Sequence, residues 1–169
     1  MHEPSTLPVM VIDDEPHLRI TASQTLELAG YTPYCIESAE QALAALTPDF
    51  PGVIVSDIRM PGMDGMALLH ELHSRDATLP IILITGHGDI STAVEAMRAG
   101  AWDFLEKPFA GDQLLDVVRR GIEKRQLSLE NHRLKAELEV QQAALGPRLV
   151  GRTPIISRLA AMIQRISQV

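Results

Sequence analysis

Cysteine, aromatic residues and basic charge are all scarce in this chain, and each scarcity excludes a class of protein. The single Cys35 cannot close an internal disulfide; lying in an apolar stretch, it is expected to be a buried structural thiol in a reducing compartment. Aromatics make up 4% of the residues, so any core must be mostly aliphatic. Lys and Arg number 15 against 22 Asp and Glu, and the resulting net charge of -7 argues against a broad phosphate-binding surface. No direct contact with nucleic acid is therefore expected. No run approaches the ~20 apolar residues that span a bilayer, and residues 1–8 lack a basic patch followed by an apolar stretch, so a cytoplasmic location without membrane contact is expected. A Gly-rich loop ending in Lys-Ser or Lys-Thr is missing, which leaves nothing to cradle ATP, and no helix-turn-helix region is legible.

What is present is a folding chain. Apolar residues reach 46% against 22% charged, and 169 residues suffice for one domain with an extension. Three aliphatic runs, Val9-Met10-Val11-Ile12, Val53-Ile54-Val55 and Ile81-Ile82-Leu83-Ile84, read as strands buried on both faces. Pro33 to Glu37 and Asp103 to Glu106 are weaker strand segments. Helical spacing fills the intervals: His17 to Ala29, Ala39 to Leu46, Met66 to Leu72 and Ser91 to Ala99. Such alternation predicts an α/β fold, a doubly wound five-stranded parallel sheet with right-handed crossovers and helices on both faces. Ligands of these folds sit beyond the carboxyl ends of the strands.

From about Asp112 the composition changes to Leu, Glu, Arg, Lys and Gln, without Gly or Pro between Ile122 and Leu145. One long helical linker is expected, ended by Gly146-Pro147. Ile122, Leu129, Ala136 and Ala143 recur every seven residues beside a second row of Leu127, Leu134, Leu138 and Leu145. A short two-stranded coiled coil would bury these rows, although Asn131 and His132 interrupt them. The alternative is a helix packed on its own domain.

Four strand ends carry polar residues of related chemistry: Asp13 and Asp14, Asp57, Thr85, and Lys107. Taken singly, each is an ordinary turn, cap or loop residue. Jointly placed at the carboxyl ends of parallel strands, they should converge. Three carboxylates in one cleft repel one another unless a cation intervenes, which points to a hard divalent ion, magnesium by preference. A Lys facing them could neutralise a phosphoryl group, a Thr hydroxyl could hold one of its oxygens, and one Asp could attack phosphorus. By contrast His70 and His73, three apart on a helix, lack a third ligand, and Met60, Met63 and Met66 read as gap-filling packing. Trp102 is expected to be half-buried against the fourth helix or to stack on a partner.

The segments Ile12-Asp13-Asp14-Glu15, Ser56 to Gly65 (SDIRMPGMDG), Thr85-Gly86-His87-Gly88 and Asp103 to Phe109 (DFLEKPF) together resemble the receiver domains of response regulators. The resemblance covers about Pro8 to Gly121 and is most similar to the nitrogen-regulatory type, the sigma-54 activators, with regulators of C4-dicarboxylate transport the nearest likeness. It implies strand order 2-1-3-4-5. It implies Asp57 as phosphoacceptor from a sensor histidine kinase, Asp14 and Asp57 as direct Mg2+ ligands, Asp13 as a ligand through water, and the backbone carbonyl of Arg59 as the last protein ligand. Lys107 would pair with the phosphoryl group across a cis bond to Pro108, while Thr85 and Phe104 would form a switch pair repacking the fourth helix, fifth strand and fifth helix. Phe104 stands where many relatives carry Tyr. Arg59 and His87 would tune phosphoryl lifetime.

The same resemblance implies a regulator rather than an enzyme, with self-dephosphorylation, and a homodimer formed by the linker helix or by the repacked face. Its layout is a receiver over 1–121, a coiled-coil-like linker over 122–147, and from 148–169 the opening of a truncated AAA+ output domain. Promoter binding and contact with sigma-54 RNA polymerase would belong to residues beyond this sequence. A phosphatase of the haloacid-dehalogenase type would need an Asp-x-Asp pair where Asp13-Asp14-Glu15 stands, and a flavodoxin-like cofactor module would need Gly, Ser and Thr in that turn.

Overall fold

A computed structural model describes residues 7–145, with side chains to residue 143. Five strands alternate with five helices: β1 Pro8–Ile12, α1 Pro16–Leu28, β2 Thr32–Ile36, α2 Ala39–Ala45, β3 Val53–Asp57, α3 Gly65–Arg75, β4 Ile81–Thr85, α4 Ile90–Arg98, β5 Asp103–Glu106 and α5 Gly111–Leu145. Every strand pairing is parallel, in the order β2-β1-β3-β4-β5. The expected fold class and strand order are observed, with element ends moved by one to three residues. Predicted strands lengthen by one or two positions because Asp57 and Thr85 still complete the ladder before the chain turns.

Alternation along the buried strands produces two cores, one on each face of the sheet. Val9, Val11, Val53, Val55, Ile82 and Ile84 pack beneath Leu26 of α1 and Leu114, Val118 and Ile122 of α5. Met10, Ile12, Ile54, Ile81 and Leu83 face Ala42 of α2, Leu68, Leu69 and Leu72 of α3, and Ala96 of α4. Each fully buried aliphatic side chain contributes about 1.5–3 kcal/mol, so the two layers pin the register of the whole sheet.

Helix starts are set locally. Pro16 opens α1, while the side chains of Ser38, Asp64 and Asp89 accept from the N–H groups of Gln41, Ala67 and Thr92 at the starts of α2, α3 and α4. Gly65 is demanded by a close approach: a Cβ there would lie 2.6 Å from the Asp57 carbonyl oxygen. That contact seats α3 directly against the end of β3.

Two expectations are corrected. Cys35 is exposed: it lies on β2, an edge strand paired only with β1, and its Sγ is 3.7 Å from the Arg19 carbonyl. Trp102 packs with the α1/α5 core rather than against α4, its ring lying 5.7 Å from Lys124 Nζ of α5. Met60 is buried and Met63 and Met66 pack beside it, as gap-filling residues do. Gly146-Pro147 and the segment 148–169 lie outside the described residues. Among the described residues no helix is long and apolar enough to cross a membrane.

The helix of changed composition is continuous with the domain's last helix, and the first compact unit of the chain runs to Leu129. Within that unit Arg125 is fully buried: its guanidinium donates to the Phe50 carbonyl (2.8 Å) and the Thr78 hydroxyl (2.9 Å) and pairs with Asp76 Oδ2 at 2.8 Å. Burial alone would raise the Asp76 carboxyl, but the hydrogen bonds from Arg125 and Thr78 outweigh it and hold this acid below its ordinary range. Arg125→Met should strand Asp76 without its cation and lower unfolding free energy by about 3 kcal/mol in urea titrations. Because the Asp76 pKa is depressed, its contribution is complete above the usual carboxylate value of about 4 and is lost as pH falls through the lower folded value. Stability measured from pH 6 to pH 2 should thus fall less steeply in Asp76→Asn than in wild type.

Candidate functional site

Register brings the polar strand ends together. β1 pairs Ile12 with Ser56, β3 pairs Asp57 with Ile84, and β4 pairs Thr85 with Glu106, so the residues that follow emerge along one edge of the sheet. Carboxylate oxygens of Asp13, Asp14 and Asp57 lie within 4.8 Å of one another. Opposite them Lys107 Nζ donates to Asp57 Oδ2 at 3.0 Å. The Lys107 N–H also donates to the Thr85 carbonyl at 2.9 Å, which continues the β4–β5 ladder into the loop, and the Lys107–Pro108 peptide bond is cis.

The cluster is electrostatically unbalanced. Asp13 is 1% exposed; burial pushes its carboxyl above the ordinary range, the Glu15 N–H hydrogen bond opposes this, and the Asp57 charge raises it further. Its Oδ2 is buried and finds no hydrogen-bond partner among the described residues. One ammonium facing three acidic side chains leaves room for further positive charge, and the donors are all hard oxygens. The arrangement fits a small divalent cation such as Mg2+. This is the group among the described residues that could hold a metal ion; it includes neither His70 nor His73.

The remaining residues singled out in the sequence lie on β4, on β5 and on the loops that follow β3 and β4. Thr85 is buried and donates from Oγ1 to the Leu105 carbonyl at 3.3 Å, while the adjacent Phe104 is 37% exposed. Arg59 donates its N–H to Asp57 Oδ1 at 3.1 Å, and its guanidinium reaches Asp89 Oδ2 at 3.7 Å. His87 Nδ1 lies 3.4 Å from Glu106 Oε1. Three supporting residues had escaped the sequence reading. Arg19 of α1 reaches back to the Asp13 carbonyl at 2.5 Å. Glu40 of α2 accepts from the Met63 N–H at 3.1 Å and so holds the loop after β3. Asp89 pairs with Arg59. Only Asp89 carried a readable signal, as a helix cap; the other two act across sequence gaps that no local pattern reveals.

A five-stranded parallel sheet with this acidic edge and facing lysine defines a class, and residues 9–119 match the model of the response regulator receiver domain. The chain belongs to that family. It is 52% identical to the C4-dicarboxylate transport transcriptional regulatory protein DctD of Pseudomonas aeruginosa, over 95% of this chain and 35% of that protein. The DctD of Rhizobium meliloti is 49% identical, over 94% of this chain and 34% of its own length. This chain thus spans about a third of the length of these relatives. Among solved structures, the beryllofluoride-activated NtrC4 receiver domain dimer is 35% identical with a TM-score of 0.65, covering 70% of this chain and 98% of that one.

Cation binding should relieve the repulsion at Asp13. Titration with MgCl2 to ten times the dissociation constant should raise stability by ~1.4 kcal/mol, read as a higher melting temperature. Asp13→Asn should melt higher than wild type without metal, since a buried charge is removed, yet gain less from MgCl2. A variant that melts lower in metal-free buffer and keeps the full magnesium response would contradict the geometry.

Proposed function

We propose that this chain is a regulatory module switched by phosphorylation of Asp57, the receiver portion of a sigma-54-dependent transcriptional activator. The observation that carries the reading is the 3.0 Å contact of Lys107 with Asp57 on the edge where Asp13 and Asp14 converge. An Asp57 oxygen attacks the phosphorus of a histidine kinase's phosphohistidine in line, and the phosphorus–nitrogen bond breaks with its electron pair leaving on the imidazole. Lys107 turns its ammonium from the carboxylate to the transferred oxygens. Asp14 and Asp57, Asp13 through water, and the Arg59 backbone carbonyl would hold Mg2+, which when bound supplies neutralising charge.

Thr85 lies where its hydroxyl can leave the Leu105 carbonyl for a phosphoryl oxygen, and Phe104 can turn into the space it leaves. A groove of about 380 Å3 lined by Ile90, Val94, Met97 and Phe104 lies beside that ring, so its movement would reshape the face of α4, β5 and α5. In self-dephosphorylation water attacks phosphorus, the electron pair of the broken bond returns to Asp57, and phosphate and a proton leave. Arg59 and His87, at the cleft mouth, would set that rate. Such a phosphoacceptor is not an enzyme in its own right.

Pairing with a second copy completes the reading, through this face or through α5. Leu127 and Leu134 of the heptad rows are 70% and 50% exposed, and the NtrC4 relative is a dimer in its activated form. We read residues 1–121 as receiver, 122–147 as linker and 148–169 as the opening of an AAA+ domain, in a cytoplasmic protein that meets polymerase and promoter through other parts of the regulator.

Wild type incubated with acetyl phosphate and MgCl2 should take up close to one phosphoryl group per chain, and Asp57→Asn none, by intact mass. Repeated turnover of a small phosphoester would instead support a phosphatase. Leu127→Glu/Leu134→Glu should shift the mass in solution toward monomer if α5 pairs; an unchanged dimer would leave the α4-β5-α5 face as the contact, and a wild-type monomer with or without beryllofluoride would remove both.

A further inference from the structure

Arg59 is fixed to the acceptor at one end only. Its N–H is held by Asp57 Oδ1, which places its Cα beside the cleft, while its side chain is 83% exposed and has a choice of anions. In this structure the guanidinium pairs with Asp89 Oδ2, 3.7 Å distant, and Arg59 lines a cleft of about 720 Å3 between the β3–α3 loop and α4. Asp64 and Glu95 line the same cleft. Asp64 is occupied as the cap of α3. Asp89 is better fixed than its partner. Its side chain is 21% exposed, its Oδ1 accepts from the Thr92 N–H at 3.4 Å, and its own N–H donates to the Gly86 carbonyl at 3.2 Å. A cap residue thus offers one oxygen to its helix and the other to Arg59.

From this geometry we infer that Asp89 is a positioning residue for Arg59. By binding the guanidinium it keeps that cation off the oxygens that a phosphoryl group would bring to Asp57, and it ties the first turn of α4 to the acceptor loop until the phosphoryl group competes for the same cation. The inference rests on the proposed phosphorylation of Asp57. Two anions then share one arginine: in the unmodified chain the guanidinium pairs with Asp89, whereas a modified Asp57 adds oxygens of higher charge two residues from the Arg59 backbone. Transfer of the guanidinium would leave Asp89 with its capping role alone, so α4 loses its charged tether at the moment when Thr85 and Phe104 are asked to move.

Charge and cap can be separated. Asparagine caps helices as well as aspartate does, so Asp89→Asn should keep α4 and the melting temperature while removing the pair. The probe is beryllofluoride in MgCl2, titrated calorimetrically into wild type, Asp89→Asn, Arg59→Gln and the double variant. Exposed ion pairs are worth 0.2–1 kcal/mol, so Asp89→Asn should bind the probe about 1.4- to 5-fold more tightly than wild type. In the Arg59→Gln background the same change should have no effect, because no guanidinium remains to be freed. A direct field effect of Asp89 on the bound anion would raise affinity equally in both backgrounds and would overturn the inference, as would no change in either. The Arg59 side-chain NεH resonance gives a readout that simple stability does not move: Asp89→Asn should shift it in the free protein, and the probe should shift it in wild type. If wild type fails to bind beryllofluoride at all, the phosphorylation reading itself falls, and the inference with it.

Discussion

Repulsion among carboxylates at the end of a parallel sheet is the constraint on which the rest of this molecule depends. Asp13, Asp14 and Asp57 are drawn from the ends of β1 and β3, neighbours in the sheet, and Asp13 and Asp57 are buried there while Asp14 is exposed. Lys107 answers part of that charge from the end of β5, on the far side of β4. The remainder is what makes the edge able to hold a divalent cation. Folding free energy from two aliphatic cores is large enough to hold such a strained arrangement, which a smaller or looser domain could not do.

The cleft is connected to its surroundings by shared atoms rather than by proximity alone. Lys107 contacts Asp57 through its ammonium and the Thr85 carbonyl through its N–H, so the facing lysine and Thr85 are set by one turn. Arg59 and His87 each sit at the cleft mouth with an acid partner, Asp89 at the start of α4 and Glu106 on β5. Arg59 and His87 thereby link the cleft to α4 and β5, whose residues also line the exposed apolar groove.

At the opposite end of the sheet Arg125 plays a purely structural part. Its three partners, Phe50, Asp76 and Thr78, lie on the loops that lead into β3 and β4. Burying a guanidinium is tolerable there because its donors meet a carboxylate, a hydroxyl and a carbonyl together. The composition of the segment after Asp112 made a helix legible, but it could not show that Arg125, in a sequence rich in exposed charge, is turned inward.

Much was decided by the order of residues alone. Short aliphatic runs between helical segments specify a parallel α/β sheet, because strands buried on both faces and joined by helices admit few other layouts, and Asp13, Asp14, Asp57, Thr85 and Lys107 follow those runs where such sheets bind ligands. Tertiary structure decided which contacts those residues make. Whether Cys35 is covered depends on β2 lying at an edge, whether Trp102 meets α4 or α5 depends on which face it leaves, and whether Arg59 meets Asp89 depends on a loop and a helix start brought together across thirty residues of intervening chain, roughly. Periodicity and local chemistry are properties of neighbours along the chain, and they carry no record of distances closed only when the sheet assembles.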